Sequence, residues 1–375
     1  MTLEEIWCNF EYEISIRQLY VNARHMRKTF NTRFVILIIV LQFLFTSCIL
    51  KDVPTVRTSS ITEIEALQAK SGGDIKRDGN STITEAGVCW SIQKRPSIYD
   101  SIFVVDLSGG QILGDFYAEV TELQPNTKYF VKAFATNDEG TGYGNEVSFT
   151  TSEMEIASIN FNPAVTYGNI TDLDGNVYKT INIGTQVWMA ENLKTTKYCD
   201  GSLIPNITNT NQWKNLRTGA YCDYVNYSKF SDVYGHLYNW YSVNTGKLCP
   251  TGWHVPSDSE WDLLIDYLGG EGIAAVKLTE YGKIHWDSFG TAATNESGFT
   301  ALPGGIRNML SSFGGYAGYT FEELNWLCYL WTSTPDLEIP GFYPTSKVCI
   351  LYGDYGVMLN TTNRDSGCSV RCLRD

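Results

Sequence analysis

Apolar and polar residues alternate with a period of two along residues 128–151, which is the pattern of strands that bury one face. Tyr129, Val131 and Ala133 fall on the same side of this segment. A Pro-Asn-Thr turn precedes Tyr129, so we expect the tyrosine hydroxyl to hydrogen-bond back to the backbone of that turn. Residues 53–153 are therefore predicted to form one small β-sandwich.

A different periodicity marks a helix farther along the chain. Ser257 and Glu260 form a capping box, in which both side chains satisfy free backbone N–H groups at the start of a helix. The apolar residues that follow recur at helical spacing and form one stripe: Trp261, Leu264, Ile265 and Leu268. Two glycines end the helix. Short strands joined by turns follow it towards the end of the chain.

The N-terminal segment has the pattern of an export signal. Basic residues precede an apolar run over residues 34–45, and small residues then precede Cys48. The run is shorter than the roughly 20 residues that span a bilayer. Residues 26–48 are interpreted as a lipoprotein signal peptide with Cys48 as the lipid-attachment site; the alternatives are an ordinary secretory signal and an uncleaved anchor helix. Residues 1–25 are interpreted as a mis-assigned start or a removed extension.

Composition and charge limit the classes of partner that the chain is expected to bind. The chain carries 33 Gly, 23 Tyr and 10 Trp but only 18% charged residues, which is typical of β-rich secreted modules. Its formal net charge of −13 repels a polyanion, so nucleic acid is not expected as a partner. Neutral glycans and proteins are the better candidates.

The sandwich segment has a recognisable relative. Gly87–Ser91 forms a further apolar strand, whose Trp90 is predicted to fill the core. With the turn before Tyr129, this segment resembles a fibronectin type III-like module of Bacteroidetes surface proteins, and the resemblance implies a spacer. Cys89 has no evident partner there and is expected to be a buried free thiol. Residues 154–167, which contain Asn, Pro and Gly, are expected to form a linker.

The motifs of the remaining chain follow an order that is typical of one family. They are Gln186–Leu193, Gly219–Cys222, Tyr238–Tyr241, Cys249–Pro256, Asn295–Asn308 and Ser369–Cys372. They resemble the Fibrobacter succinogenes major paralogous domain family, over residues 168–375. The resemblance implies a C-type-lectin-like fold, related also to formylglycine-generating enzymes. The expected fold class is multidomain, with an all-β fibronectin- or immunoglobulin-like sandwich followed by an α+β C-type-lectin-like domain.

The cysteines of this domain number seven, so at least one is free or pairs elsewhere. We expect a disulfide between Cys249 and Cys372, which ties the segment before the helix to the last strand. Cys328 and Cys349 lie on candidate neighbouring strands and can pair. The connectivity of the others stays open: Cys199, Cys222 and Cys368.

Aromatic rings with nearby polar side chains form the candidate ligand site, since flat rings stack on sugars and polar groups fix their orientation. The candidates are Trp286, Asn295, Arg307, Asn308, Tyr316, Tyr319 and Trp331, with Trp326 and Tyr329 as further aromatic residues. The alternative is that half or more of these aromatic residues fill the core of a small domain.

Metal and catalytic chemistry are not indicated. No Cys-x-x-Cys occurs, and the histidines are scattered; His254 is expected to be structural. Asp172–Asn176 is acidic but too short for a calcium-binding EF-hand loop and predicts a hairpin turn. No Gly-x-Ser-x-Gly, phosphate-binding or dinucleotide-binding motif appears. The prediction is therefore a chain without metal, cofactor or catalytic residues.

These observations predict a lipid-anchored outer-membrane protein of the bacterial cell envelope. It is expected to be surface-exposed and to contact the membrane through its lipid alone. Its lectin-like domain is predicted to serve binding or adhesion to a glycan or another surface component. One alternative is a structural or assembly protein that docks a protein partner. A second is an enzyme, hydrolytic or similar to formylglycine-generating enzymes, which would need two reactive cysteines or two close carboxylates in one cleft.

Overall fold

A computed structural model describes residues 51–107, 113–287, 293–309, 319–337, 343–352 and 356–375. The predicted signal segment, with Cys48, lies outside these ranges. Within them, no helix has the length and apolar character that crossing a membrane requires.

The N-terminal module is a two-sheet β-sandwich, as the alternation predicts. Its strands are β1 (Thr55–Thr58), β2 (Ala69–Arg77), β3 (Glu85–Ser91), β4 (Ser101–Val104), β5 (Gly114–Val120), β6 (Lys128–Asn137), β7 (Gly140–Tyr143) and β8 (Val147–Thr150). One sheet has the order β1-β2-β5 and the other the order β4-β3-β6-β7, with β8 also paired to β6. All these pairs are antiparallel.

The sandwich core confirms the residues predicted for it. Trp90 is buried among the inward side chains of both sheets, and Cys89 is a buried free thiol. The Tyr129 hydroxyl accepts a hydrogen bond of 2.9 Å from the Gln124 N–H, which is the expected contact with the preceding turn. On β5 the pattern alternates strictly, so Tyr117 projects from the outer face and is 88% exposed.

The C-terminal domain contains short strands grouped in three sheets. The strands are β9 (Gly168–Thr171), β10 (Val177–Ile183), β11 (Gln186–Met189), β12 (Tyr221–Cys222), β13 (Leu237–Tyr238), β14 (Trp253–His254), β15 (Gly304–Met309), β16 (Tyr319–Leu324), β17 (Cys328–Pro335), β18 (Thr345–Leu351), β19 (Val357–Asn363) and β20 (Leu373–Arg374). The two large sheets have the orders β14-β20-β11-β10-β9 and β16-β15-β17-β18-β19, and β12 pairs with β13.

Among the described residues of the domain, three helices are single turns and two are longer. They are α1 (Thr210–Trp213), α2 (Ser231–Tyr234), α3 (Trp240–Val243), α4 (Asp258–Leu268) and α5 (Glu271–Leu278), with 3-10 turns at Tyr224–Asn226 and Ser228–Phe230. The capping box before α4 is present, since the Ser257 N–H donates to the Glu260 carboxylate at 2.7 Å. Gly269 ends α4 in the left-handed conformation that glycine adopts freely. The expected fold class is confirmed.

Helix α4 supplies the centre of the domain core. Its Trp261 ring lies 4.7 Å from the Trp188 ring of β11 and 5.8 Å from the Phe299 ring, measured between centroids. The same cluster includes Leu330 of β17 and Leu351 of β18, so α4 joins the two large sheets. Burying each such side chain stabilises the fold by about 1.5–3 kcal/mol.

Cys249 and Cys372 form a disulfide, with their Cα atoms 5.9 Å apart. The bond joins the segment before β14 to the residue before β20, and β14 pairs with β20 next to it. It closes a loop that spans most of the domain, because the two cysteines are separated by 123 positions.

The pairing considered for Cys328 and Cys349 is wrong, because both are buried free thiols. They lie on adjacent antiparallel strands, but Cys328 faces Leu351 and Cys349 faces Leu330. Diagonal residues of this kind are about 7–8 Å apart. A disulfide allows Cα separations of roughly 4.4–6.8 Å. The other free thiols among the described residues are Cys89, Cys199, Cys222 and Cys368.

Residues 154–167, which we call the strap, lie against the C-terminal domain. Ile156 and Ile159 pack on one core cluster, and Phe161 and Val165 pack on another. The Asn162 amide donates to the Asn295 carbonyl at 2.9 Å. The segment predicted as a linker is thus packed and hydrogen-bonded along its length.

A second contact joins the sandwich to the C-terminal domain. The Gln124 amide donates to the carbonyls of Val225 and Asn226 at 3.3 and 3.1 Å. The Phe321 N–H of β16 donates to the Glu122 carboxylate at 3.1 Å. The turn before β6 therefore touches the edge of the C-terminal sheet in addition to the covalent connection through the strap.

Candidate functional site

The structure places two of the predicted ligand-binding aromatic residues in the core. Trp286 is fully buried, and its indole N–H donates to the Ala301 carbonyl at 3.1 Å. Trp331 is also fully buried, and its indole N–H donates to the Tyr238 carbonyl at 2.7 Å. A ring with both faces packed cannot stack on a ligand, so these two assignments are wrong. Both tryptophans instead agree with the alternative interpretation, in which aromatic residues fill the core of a small domain.

Two predicted polar contacts are buried as well. Asn295 bonds to the backbone N–H and the hydroxyl of Thr300, both at 2.9 Å. The Arg307 guanidinium donates to the Ile207 and Thr208 carbonyls at 2.9 and 3.1 Å. Both side chains are fully buried and serve loop packing, so their assignment to a ligand site is wrong.

The remaining candidates are not brought into one site by the described residues. Asn308 is half-buried, and its amide oxygen accepts from the Ser366 hydroxyl at 2.9 Å. Tyr316 lies outside the described ranges, and for Tyr319 the backbone alone is described. These three assignments stay predictions.

Three fully buried thiols of the domain are poor nucleophiles. Burial raises the pKa of Cys328 to about 12, and it also raises the pKa values of Cys349 and Cys368 well above 9. The reactive form of cysteine is the thiolate. These three side chains are therefore protonated at neutral pH and do not form the reactive pair that an oxidase-like mechanism requires.

Each histidine in the described ranges is paired with a carboxylate. His236 bonds to Asp223 at 2.7 Å. His254 lies between Asp375 and Glu260, at 2.6 and 2.9 Å, in the structural role expected for it. In the part of the chain that the structure describes, no three His, Cys, Asp or Glu side chains are grouped to hold a metal ion.

The acidic hairpin has its carboxylates occupied by its own chain. One Asp172 oxygen accepts from the backbone N–H groups of Asp174 and Asn176, each at 2.9 Å, and the other accepts from the Tyr178 hydroxyl at 2.6 Å. Asp174 is paired with Lys197 at 2.9 Å. Residues 172–176 form the predicted turn between β9 and β10.

One tryptophan of the wider candidate set remains at the surface. Trp326 lies in the turn between β16 and β17 and is 50% exposed. Glu323 and Asn325, which flank the buried Leu324, have φ angles of 62° and 65°. Residues other than glycine adopt this left-handed conformation only where their surroundings hold them in it. The segment Glu323–Leu327, the Trp326 turn, is thus a constrained element that presents a large ring to solvent.

Hydrogen bonds from several elements hold the Trp326 turn. The Asn325 N–H donates to the Pro303 carbonyl at 3.0 Å, and the Asn325 carbonyl accepts from the Asp287 N–H at 2.8 Å. Its amide oxygen accepts from the Tyr234 hydroxyl of α2 at 2.9 Å. The N–H of Trp326 donates to the Glu323 carbonyl at 3.1 Å. The backbone that carries the indole is therefore fixed by α2, by the 280–287 loop and by the segment before β15.

The loop that touches this turn also exposes apolar side chains. Tyr281 and Ile284 are 62% and 52% exposed. The loop is closed at its base by a 2.7 Å contact between Glu280 and His285, and Asp287 joins it to Asn325. The bond between Asp287 and Asn325 therefore connects two segments that both carry exposed apolar side chains.

Carboxylates give the surroundings of the Trp326 turn a negative charge. Glu323, the first residue of the turn, is exposed, and Glu322 is half-buried on β16. Burial raises the pKa of Glu322, and the nearby charges of Glu323 and Glu122 raise it further. Carboxylates accept hydrogen bonds from hydroxyl groups and repel anions. An aromatic ring in a turn that carries such acceptors suits a ligand that is rich in hydroxyl groups.

Sequence reasoning included Trp326 among several aromatic residues but did not single it out. It missed Asn325, Tyr281 and Ile284. One signal was available, since an Asn one position before a Trp, between two apolar runs, favours a turn with a left-handed residue. Which rings face solvent depends on packing between segments far apart in the chain.

Comparison with known proteins identifies one family. The family model of the Fibrobacter succinogenes major domain matches residues 181–374. No curated protein matches the chain.

Solved structures resemble part of the chain. A sensor domain of the anti-sigma factor RsgI4 in Pseudobacteroides cellulosolvens is 17% identical, with a TM-score of 0.21, and the match covers 28% of this chain and 98% of that one. The third fibronectin III domain of the human KIAA0343 protein is 16% identical, with a TM-score of 0.22, covering 31% of this chain and 92% of that one. Structural similarity at this level does not indicate a function.

Proposed function

Because the chain belongs to the Fibrobacter succinogenes major domain family, we propose that it is an extracellular binding protein whose C-terminal domain binds a glycan or another surface component. The fibronectin-like sandwich serves as the spacer that carries this domain. Cys48 is the lipid-attachment site, and the lipid holds the protein in the outer membrane of a bacterial envelope with the binding domain exposed. The proposal contains no catalytic step.

The Trp326 turn is the observation that supports this proposal. An indole that is half exposed offers an apolar face for a sugar ring, and its N–H is a hydrogen-bond donor. The turn is held by contacts with Pro303, Asp287 and Tyr234, so little conformational freedom is lost when a ligand binds. Glu323 of the same turn can accept hydrogen bonds from ligand hydroxyl groups.

A glycan array tests the proposal directly. The soluble chain 49–375, which contains every described residue, would be applied with calcium and with a chelator. Trp326→Ala is expected to weaken specific binding by roughly tenfold or more. Tyr117→Ala is the matched control, because it removes an exposed ring from the sandwich and leaves the C-terminal domain unchanged.

Each outcome bears on a different part of the proposal. Specific binding that Trp326→Ala removes and Tyr117→Ala retains supports the site and the ligand class. Specific binding that survives Trp326→Ala places the ligand elsewhere on the domain. If no glycan binds with calcium or with the chelator, the proposal of glycan binding is contradicted. If binding occurs with calcium and is lost with the chelator, the site contains calcium.

The lipid anchor has its own test. Cys48→Ser in the full chain is expected to release the protein from the membrane fraction and to prevent incorporation of a labelled fatty acid. Cys199→Ser is the control, since Cys199 is a half-buried thiol of the C-terminal domain. Retention of the Cys48→Ser chain in the membrane would contradict lipid anchoring.

A second candidate function is docking of a protein partner. It is favoured by Leu263 and Tyr267, which lie one turn apart on the outer face of α4 and are 52% and 65% exposed. Apolar side chains at this spacing suit a protein interface. If Leu263→Ser with Tyr267→Ser abolishes attachment of the protein to cells while Trp326→Ala does not, docking replaces glycan binding as the function.

A further inference from the structure

We propose that His285 and Glu280 form a proton-controlled latch that fastens the strap to the C-terminal domain. The latch is distinct from the proposed ligand site, because the buried His285 and Glu280 side chains contact the segment between the two domains. It gives the connection between sandwich and binding domain a dependence on pH.

The geometry of the pair shows how many protons it holds. The His285 Nδ1 atom lies 2.7 Å from the Glu280 carboxylate, and Nε2 lies 3.0 Å from the Ala157 carbonyl of the strap. A carbonyl can only accept a hydrogen bond, and so can an ionised carboxylate. Both contacts are satisfied together when the ring is doubly protonated, or when a protonated Glu280 donates to a neutral ring. In either arrangement the pair holds two protons.

Loss of one of these protons breaks a contact. With Glu280 ionised and the ring neutral, a single N–H faces two acceptors. Either the Ala157 carbonyl or the Glu280 carboxylate then lies against a nitrogen lone pair. Both side chains are almost fully buried, so water does not replace the missing donor easily.

The same pair holds a second point of the strap. The Asn160 N–H donates to the other Glu280 oxygen at 2.7 Å, and the Asn160 amide donates to the Tyr281 carbonyl at 3.1 Å. Ile156 and Ile159 pack against the domain on this stretch. The polar contacts therefore centre on Glu280 and His285, and a change in their protonation acts on the middle of the strap.

Glu280 and the Ala157 carbonyl favour the protonated form of His285. Burial lowers the pKa of His285, but the hydrogen bond and the negative charge of Glu280 outweigh this effect, so the pKa is raised above its ordinary 6.5. Tyr234 places its ring edge-on to His285, with 5.5 Å between centroids. Tyr234 lies near the charge of Asp287, and Glu280 lies near the cation of Arg371.

The direction of the pH effect follows from this shift. The histidine binds its proton more tightly in the folded chain than in the unfolded chain. Its contribution is therefore complete below pH 6.5 and is lost as the pH rises through the raised value. The latch is closed at mildly acidic pH and opens as the pH rises through the raised pKa of His285.

Hydrogen exchange of the Asn160 amide tests the latch in the chain 49–375. After correction for the intrinsic rate at each pH, protection of this amide is expected to fall about tenfold or more as His285 loses its proton. Nitrogen-15 spectra of the His285 side chain identify that pH independently. The two transitions should coincide.

One substitution separates the latch from ordinary packing. In Glu280→Gln, the amide nitrogen can donate to a neutral Nδ1 while the amide oxygen still accepts from Asn160, so every contact forms without the second proton. Protection of Asn160 should then stay high across the whole range. His254→Gln is the matched control, since it alters another histidine held by carboxylates and should leave the wild-type profile unchanged.

Two results would overturn the proposal. One is a Glu280→Gln chain whose Asn160 protection falls with the same pH profile as that of wild type. The other is a wild-type chain in which His285 titrates while Asn160 protection stays constant.

Discussion

The hydroxyl of Tyr234 donates a hydrogen bond of 2.9 Å to the amide oxygen of Asn325. The ring of the same tyrosine stands edge-on to His285, at an interplanar angle of 84°. One side chain of α2 thus contacts both the turn that presents Trp326 and the histidine that holds the strap. The proposed binding site and the proposed latch meet at this residue.

Tyr234→Phe is expected to loosen the Trp326 turn. The substitution leaves the half-buried Asn325 amide oxygen without this donor, which costs about 0.5–1.5 kcal/mol. The free energy of unfolding, measured with urea, should fall by this amount, and ligand affinity at the turn should fall with it. Tyr267→Phe, on the exposed face of α4, should change neither quantity. A Tyr234→Phe chain with unchanged stability would show that the hydrogen bond does not constrain the turn.

Arg371→Met is expected to be strongly destabilising. The Arg371 guanidinium is fully buried and donates to Asn192 at 2.8 Å, to Thr300 at 2.7 Å and to the Phe299 carbonyl. Burial lowers its pKa to about 10, so it remains charged at neutral pH.

The loss should reach at least about 3 kcal/mol, since several buried acceptors lose their donors together. Thermal and urea unfolding measure it. Arg374→Met, at an exposed position three residues later, is the control and should shift stability by less than about 0.5 kcal/mol. Equal effects of the two substitutions would contradict the structural role of Arg371.

Replacing the Cys249–Cys372 disulfide by two serines should lower stability by about 4–5 kcal/mol in the chain-entropy view, because the closed loop is long. Mass spectrometry without reduction should find this pair oxidised. Cys199→Ser should have little effect, since Cys199 is a free thiol that is not fully buried. Oxidation of a different cysteine pair would contradict the connectivity.

Acidification should strengthen the contact between the sandwich and the C-terminal domain. Burial raises the pKa of Glu122 above 4.5, although bonds from Thr320 and Phe321 and the charge of Arg307 oppose the shift. The folded chain therefore binds this proton more tightly than the unfolded chain. Stability associated with Glu122 should rise as the pH falls through the raised value and level off below 4.5.

Glu122→Gln, which keeps an acceptor for the Phe321 N–H, should raise the unfolding midpoint at pH 7 and flatten this pH dependence. Glu119→Gln, on the exposed face of β5, serves as the control. If the midpoint of Glu122→Gln changes with pH as that of wild type does, Glu122 does not control this contact.

Local patterns predicted the elements whose signals lie within a few residues. The capping box at Ser257 and Glu260 needs contacts across one helical turn, and Tyr129 needs its own preceding turn. Both features formed as expected. The fold class followed from such elements and from the order of the family motifs.

The candidate site could not be derived in the same way. Trp286, Trp326 and Trp331 are equally apolar, and their exposure is decided by which segments cover them after folding. Glu280 and His285 lie five residues apart, but the carbonyl that completes the latch belongs to Ala157, 128 positions from the histidine. A contact between residues so far apart in the chain produces no periodic pattern in the sequence.

The bonds from Gln124 to the carbonyls of Val225 and Asn226 have a mechanical consequence. Two bodies connected by one flexible chain swivel, whereas two bodies connected at two separate places resist bending and twisting. Here the strap is one connection and the Gln124 turn is the other. A force on Trp326 would therefore reach the sandwich as a torque, and the direction in which the indole faces is fixed relative to the sandwich.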